Sequence, residues 1–296
     1  MGAPPLVILN PRSNIGRAAR LRKPLEKALA SGKGDLVLTQ APRDAERLAH
    51  EAAASGRDVV VAGGDGTITE AANGVLSSGR PVTLGVVPAG SGNDYAYETL
   101  RLPHDPLRAL EIALHGAPHA MDVGQVNGRY FLNSLGVGLD ANIAAAAEKL
   151  KKYPFMRGQT LYWTASLREL IFHYNLCPHL TVQYDEQPSE HREFALAAVS
   201  IGPTYGGGFR INPDADPRDG LFDLCTIWKP SLPRALRLLP KVEKGKHLKE
   251  REVARARVRH VVMEADRLIH AHLDGEIMLE RRFEARILPG ALLVRQ

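Results

Sequence analysis

The sequence predicts an α/β N-terminal domain built on a parallel sheet, followed by a β-rich C-terminal domain. Three observations predict it. Short apolar runs alternate with helix-patterned stretches through the first third of the chain. Two of those runs lead directly into glycine-containing polar turns. After about Asp122 the rhythm changes to strand-like segments separated by turn signals. At 296 residues the chain is also too long for one ordinary core and suits two domains.

Taken in order, residues 6–9 form an apolar run that reads as a first strand, and residues 10–16 a polar turn. Residues 18–30 carry Leu21, Leu25 and Leu29 at a spacing of four, which predicts a helix. Residues 36–38 read as a second strand and the Ala/Leu-rich stretch 43–55 as a helix. Residues 59–62 are a third strand ending at Gly63-Gly64, 69–76 a helix and 84–87 a fourth strand. Such alternation places helices on both faces of a parallel sheet. Further on, 131–135, 180–184, 195–201, 222–228, 257–263 and 269–273 read as strands. Turn signals such as Val126-Asn127-Gly128 and Asp219-Gly220 separate some of them. Helices are expected over 144–174, broken near Pro154, and over 233–242. The domains are therefore 1–122 and 123–285, with a last strand at 291–294, inside 286–296, returning to the first.

Composition removes several classes of function. Apolar residues at 44% and charged residues at 24% are those of a globular protein and argue against disorder. The two cysteines, Cys177 and Cys225, belong to no CxxC or Cys/His cluster, so neither a disulfide framework nor a zinc site is expected and a cytoplasmic setting fits. No apolar run approaches the roughly 20 residues of a membrane span. Residues 1–9 read as the approach to a strand and not as a leader, and Leu6 stands where myristoylation needs Ser or Thr. The net charge of +5 suits nucleotides, anionic lipid headgroups or nucleic acid, and selects none of them. No nucleic-acid-binding motif is present, so no nucleic-acid partner is expected. The eleven histidines, His270 and His272 among them, show no metal-ligand spacing.

Three turns carry chemistry. Gly63-Gly64-Asp65-Gly66-Thr67 closes an apolar run and opens a helix. Glycines there let a backbone approach a ligand, and N–H groups at a helix start attract phosphate. Asp65 would repel a bare phosphate, and a magnesium ion between the two resolves the conflict. Pro88-Ala89-Gly90-Ser91-Gly92-Asn93-Asp94 follows the next strand and should share the same sheet edge, where ligands bind in open α/β sheets. Asn10-Pro11-Arg12-Ser13-Asn14 follows the first strand with short polar groups and a cation. Each turn taken alone also reads as an ordinary strand-to-helix connection.

Together, Asn10-Pro11-x-Ser13, Gly-Gly-Asp-Gly-Thr and Pro88-x-Gly90-Ser91-x-Asn93-Asp94 resemble the diacylglycerol kinase catalytic family, in its bacterial soluble lipid kinase form. Met121-Asp122-Val123-Gly124, Gly206-Gly207-Gly208-Phe209, Pro213-Asp214-Ala215, residues 219–223 and Asp274-Gly275-Glu276 continue it in order over nearly the whole chain. The resemblance implies a β-sandwich as the second domain. It also implies an ATP site lined by Asn10, Pro11, Arg12, Ser13, Asn14, Thr39, Gly64, Asp65, Gly66, Thr67, Ile68, Thr69, Glu70, Ser91, Asn93 and Asp94. Glu276 would be the general base, with Asp122 supporting it and Asp65 in the catalytic set. Asp219 would bind magnesium, helped by the backbone of Asp216 and Leu221. The chain departs from the family pattern at Asn14, where Gly is usual, and at Ser91, where Thr is usual. Read without the resemblance, Asp274-Gly275-Glu276 and Asp219-Gly220 are equally hairpin turns with exposed acids.

The implied function is ATP- and Mg2+-dependent phosphorylation of a lipid hydroxyl, diacylglycerol first, with the headgroup at the interdomain cleft. Residues 229–259 interleave Arg234, Arg237, Lys241, Lys244, Lys246, Lys249 and Arg251 with leucines, which fits docking on an anionic membrane surface or a plain solvated helix face. Tyr153, Phe155, Tyr162, Trp163 and Phe172 fit either an acyl-chain groove or core packing. Transient membrane association follows from a lipid substrate, and a homodimer is compatible with the sequence. Two other readings stand beside the first: a kinase of a soluble substrate such as NAD, and a non-catalytic nucleotide or lipid sensor.

Overall fold

The computed structural model describes residues 3–30, 32–150, 153, 155–156 and 158–296. The chain divides into two units, Met1–Val123 with Pro289–Gln296, and Gly124–Leu288. The helix break expected near Pro154, and the Met1-Gly2 terminus, fall on residues outside the described set.

The first unit alternates strand and helix. Its elements are β1 (Leu6–Leu9), α1 (Arg22–Ala28), β2 (Asp35–Leu38), α2 (Asp44–Ala54), β3 (Val59–Gly63), α3 (Asp65–Ser77), β4 (Thr83–Pro88) and α4 (Pro106–His115). β1 pairs in parallel with β2 and with β3, and β3 in parallel with β4, giving the order 2-1-3-4. The last residues of the chain add a fifth parallel strand, with Leu293 opposite Thr83 and Val294 opposite Leu84. The β3 run is buried throughout because helices cover both faces, so it shows no alternation of polar and apolar residues. Leu25 and Leu29 pack with Val7, Leu9, Val60, Ala62 and Leu110 in one core.

Two elements differ from expectation for local reasons. The single helix expected over 18–30 is a short 3-10 turn, Arg17–Leu21, followed by α1. Pro24 lacks the N–H that a helix interior needs and is tolerated only in a first turn, so the α-helix starts just before it. The helix α4 was not anticipated, although its signal is local: the Asp105 carboxylate accepts the N–H groups of Leu107 and Arg108 at 3.0 and 2.8 Å, with Pro106 at the first helical position.

The second unit is mainly antiparallel. It contains β6 (Arg129–Phe131), β7 (Ser134–Gly138), α5 (Leu139–Leu150), α6 (Gly158–Phe172), β8 (His179–Tyr184), β9 (Glu190–Ser200), β10 (Phe222–Trp228), α7 (Leu232–Glu243), β11 (Val253–Val258) and β12 (His260–Leu273). Two strands run across the division of the chain: β5 (Pro118–Val126) and β13 (Glu276–Arg295). β8 and β7 each pair with both β9 and β12, which closes a ring of strands. β12 serves both partners by a register shift between Glu264 and Ile269, so the two strands expected over 257–263 and 269–273 are largely one bent strand. Phe131, Leu135, Val199, Phe222, Met263 and Phe283 fill the interior. Among the described residues no helix is long and apolar enough to cross a membrane.

Candidate active site

In the first unit, β1, β3 and β4 run parallel, so the turns that leave their carboxyl ends lie at one edge of the sheet. The order 2-1-3-4 reverses direction between β1 and β3, and such a switch point opens a crevice at that edge. The structure joins the three turns there. Asn10 Nδ2 donates to Thr67 Oγ1 at 2.9 Å. Ser13 Oγ accepts the Gly64 N–H at 3.3 Å. The Ala89 N–H reaches Gly63 O at 2.7 Å. Asp65 binds across to the third turn, its carboxylate accepting the N–H groups of Asn93 at 2.8 Å and Tyr95 at 3.1 Å.

These contacts have local causes. The Asn10 side chain also accepts the Arg12 N–H at 3.0 Å and so folds the first turn onto itself. Asn14, Ile15 and Gly16 then take left-handed φ values of 52°, 55° and 78° in succession. Asn93, φ 61°, ties its own loop through its side chain, accepting the Gly90 N–H at 2.8 Å and donating to Gly90 O at 3.1 Å. α3 begins at Asp65, leaving the first-turn N–H groups outside the helical ladder. Gly66 has no neighbour within 4 Å of where a Cβ would stand. A single π-helical turn, Tyr95–Thr99, follows Asp94. Burial is the main cause that raises the Tyr97 phenol pKa, and the nearby Asp65 carboxylate adds to it.

The remaining residues of the expected nucleotide set are placed as follows. Pro11, Arg12, Ser91 and Asp94 are at least partly exposed at this edge. Asp65 Oδ2 and Asp94 Oδ2 lie 3.4 and 3.8 Å from the point a Cβ on Gly92 would occupy, so the two carboxylates flank the same glycine. Thr39 is half-buried at the end of β2, its N–H on Leu9 O at 3.0 Å. Glu70 accepts the Arg43 N–H at 3.2 Å. Ile68 and Thr69 are buried in α3, with 0% and 3% exposure, and the Ile68 N–H donates to Gly64 O at 3.0 Å. Asp122 is buried and accepts the Gly290 N–H at 2.8 Å, which anchors the returning end of the chain.

In the second unit, Asp274 and Gly275, with φ of 46° and 93°, form the two-residue turn between β12 and β13, and Glu276 is the first residue of β13. Its carboxylate stands 3.6 Å from the Arg129 guanidinium and is 41% exposed. Asp274 points inward, and its carboxylate accepts the N–H groups of Leu132, Asn133 and Ser134 at 2.7, 2.9 and 2.8 Å. Those bonds interrupt the strand expected over 131–135 and separate β6 from β7.

Asp219 is engaged from two sides: its Oδ1 accepts the Leu221 N–H at 2.9 Å and its Oδ2 pairs with Arg257. Asp216 accepts the Arg218 N–H at 3.1 Å. Among the described residues no group of three or more His, Cys, Asp or Glu is arranged around a common metal position. The expected site, however, is one carboxylate with backbone carbonyls, and a magnesium ion on Asp219 would take the place of its ion pair with Arg257.

Motif reading passed over one buried cluster. His272 Nε2 lies 3.3 Å from Asp140 Oδ2, which also accepts the Tyr205 hydroxyl at 2.9 Å. Burial, with Asp140 beside it, pushes the Tyr205 phenol well above its ordinary pKa. These residues lie far apart in sequence and carry no spacing that would reveal them.

The diacylglycerol kinase catalytic domain matches residues 4–126. The YegS C-terminal NAD kinase beta sandwich-like domain matches residues 133–296. A diacylglycerol kinase of Bacillus subtilis (strain 168) is 32% identical over 237 residues, covering 79% of this chain and 76% of the relative. A diacylglycerol kinase of Mycobacterium tuberculosis (strain H37Rv) is 32% identical over 257 residues, covering 85% and 81%. The chain belongs to the diacylglycerol kinase-like lipid kinase family. The fold of this kinase is also that of solved structures from Bacillus anthracis str. Sterne. One superposes with a TM-score of 0.80 at 24% identity over 99% of this chain and 95% of the other. The crystal structure of a diacylglycerol kinase from the same strain gives 0.71 at 21% over 99% and 96%.

Three of the seven basic residues singled out in the basic stretch of this family member, Arg234, Lys241 and Arg251, are engaged in ion pairs. Arg234 pairs with Glu250 and Glu252, Lys241 with Glu250, and Arg251 with Glu252. Arg234 first, and Arg251 after it, hold the Glu252 carboxyl down to about 2. Of the aromatic group, Tyr162 and Trp163 pack against the core around Phe209, whereas Phe155 and Phe172 are 90% and 74% exposed.

Proposed function

We propose that this kinase transfers the γ-phosphoryl group of ATP to the hydroxyl of a lipid alcohol, with diacylglycerol as acceptor and phosphatidic acid as product. The observation that supports this most is the joining of the 10–14, 63–67 and 88–94 turns through Asn10–Thr67, Ser13–Gly64 and Asp65–Asn93. The joined turns offer backbone N–H groups at a helix start beside short polar side chains, which is what a polyphosphate requires. The names carried by the relatives support the choice of diacylglycerol.

In this reading the acceptor oxygen bonds to the γ-phosphorus as the bond from that phosphorus to the bridging oxygen breaks. The hydroxyl proton passes to the Glu276 carboxylate, and ADP departs with the electron pair of the broken bond. Glu276 suits the role because its carboxylate is partly exposed on a tight turn. Asp122 is the supporting carboxylate that the family resemblance suggests. A magnesium ion accompanying the nucleotide supplies neutralisation of phosphate charge. Asp65 and Asp94 are the hard oxygen donors of the first unit that would hold it. A lipid acceptor brings the protein transiently to a membrane surface, and exposed Phe155 and Phe172 are side chains suited to that contact.

The test is to incubate the purified chain with labelled ATP, magnesium, vesicles containing diacylglycerol or other lipid alcohols, and NAD in parallel. Label in diacylglycerol that disappears in Glu276→Gln is the expected result. Label in NAD alone overturns the lipid assignment. Nucleotide binding with no transfer to any acceptor favours a sensor.

A further inference from the structure

Asp-Gly is a common pair in two-residue hairpin turns because both positions take positive φ, and such a turn ordinarily projects its side chains into water. Asp274 departs from that pattern. Its residue is only 9% exposed and its carboxylate faces three consecutive backbone N–H groups. A carboxylate taken from water is costly unless hydrogen bonds replace its hydration, and bonds to an ionised acceptor are the strong ones. The backbone adds a fourth link, from the Asp274 N–H to Ser134 O at 3.0 Å.

The segment that receives Asp274 is itself fixed. Asn133 O accepts the N–H groups of Ile201 and Gly202 at 2.8 and 3.2 Å, and Asn133 Nδ2 donates to Thr204 O at 2.5 Å. Arg129, three residues before Leu132, faces Glu276 at 3.6 Å. Residues 129–134 thus hold the hairpin at two points, one on Asp274 and one on Glu276. Glu276 lies just two residues beyond Asp274, and Gly275 between them has no neighbour within 4 Å of a Cβ position to steady it.

We propose that Asp274 is the positioning residue for Glu276, its buried carboxylate locking the β12–β13 turn onto the 132–134 backbone so that the neighbouring carboxylate is held for proton transfer. This rests on the reading of Glu276 as general base. Asp274 does not take the proton. It acts by setting where Glu276 stands, and a displacement of about 1 Å at a reacting group can lower a rate on the order of a hundredfold.

The decisive experiment compares wild type, Asp274→Asn, Glu276→Gln and the double variant in steady-state turnover with ATP and diacylglycerol vesicles. Asp274→Asn is expected to lower kcat about 10- to 100-fold with KM for ATP little changed. In the Glu276→Gln background the same substitution should lower kcat no further, because a residue acting through another has nothing left to position. An equal loss in both backgrounds marks a general structural role and overturns the proposal, as does a slow Glu276→Gln beside an unaffected Asp274→Asn. Wild-type turnover in Glu276→Gln overturns the general-base reading, a result distinct from either. If Asp274→Asn does not fold, amide hydrogen exchange on the wild-type chain decides: slow exchange at Leu132, Asn133 and Ser134 is expected, and rapid exchange there overturns the anchor.

Discussion

Gly64 and Gly90 approach so closely that a Cβ on Gly90 would stand 2.4 Å from the Gly64 Cα. Two turns from different strand ends touch backbone to backbone, a contact that requires glycine at 90 and leaves only 3.1 Å between the Gly90 Cα and a Cβ placed on Gly64.

Gly90→Ala is therefore expected to push the two turns apart. The added methyl would also meet Asn93 Oδ1 at 2.6 Å, so the bond that closes the third turn is disturbed as well. Overpacking of this kind costs about 1–3 kcal/mol. Calorimetric titration with ATP should show a loss of affinity of at least about tenfold, beyond a modest fall in Tm; unchanged affinity would separate this contact from nucleotide binding.

Asp65→Asn tests the bridge from the second turn to the third. The carboxylate accepts two N–H groups, and an amide can accept only with its oxygen while its NH2 faces the other donor. The expected loss of stability is about 1–3 kcal/mol, read from urea unfolding. Turnover should fall further than stability predicts if the carboxylate also meets the nucleotide's metal.

His247 gives a pH dependence. Burial, its main cause, lowers the folded-state pKa to about 4, against 6.5 for the free imidazole. The unfolded chain therefore takes up the proton first as pH falls. The stability that rests on a neutral His247 is fully present above about pH 6.5 and drains away between about 6.5 and 4, by a total on the order of 3 kcal/mol. Urea midpoints measured over that range should fall for the wild type and fall less for His247→Gln. Parallel curves would refute the assignment.

Arg295 fastens the chain's returning end into the first unit. Its guanidinium donates to Asp58 Oδ2 at 2.9 Å, Thr83 Oγ1 at 3.0 Å and Gly116 O at 2.9 Å. Arg295→Ala should cost about 1.5–3 kcal/mol, since it removes hydrogen bonds to a charged partner. Hydrogen exchange should quicken at Leu293 and Val294, the residues paired with β4. An unaltered exchange pattern would show that strand pairing alone holds this segment.

The parallel character of the first unit was legible because β1, β3 and β4 are continuous apolar runs closed by turn residues. In the second unit β8, β10 and α7 were legible close to their observed bounds, but the long strands were not. β13 is 20 residues long, yet only its last few read as a strand. The charged run Glu280, Arg281, Arg282 and Glu284 hides the rest, since its alternation is interrupted where the strand is exposed. The extent of β12 was equally obscure, because one strand serves two partners through a shift that no local pattern announces.

Local chemistry thus wrote the three turns, the Asp-Gly hairpin and the alternation that makes a parallel sheet, because each depends on backbone conformations and short side chains within a few residues. Tertiary structure alone decided what those groups do next. It turned Asp65 onto the 93–95 backbone, gave Asp219 to Arg257 and drove Asp274 inward to residues 132–134. The partner of a carboxylate is chosen by whichever donors folding brings within reach, and donors 28, 38 or 142 residues away leave no trace in the sequence around it.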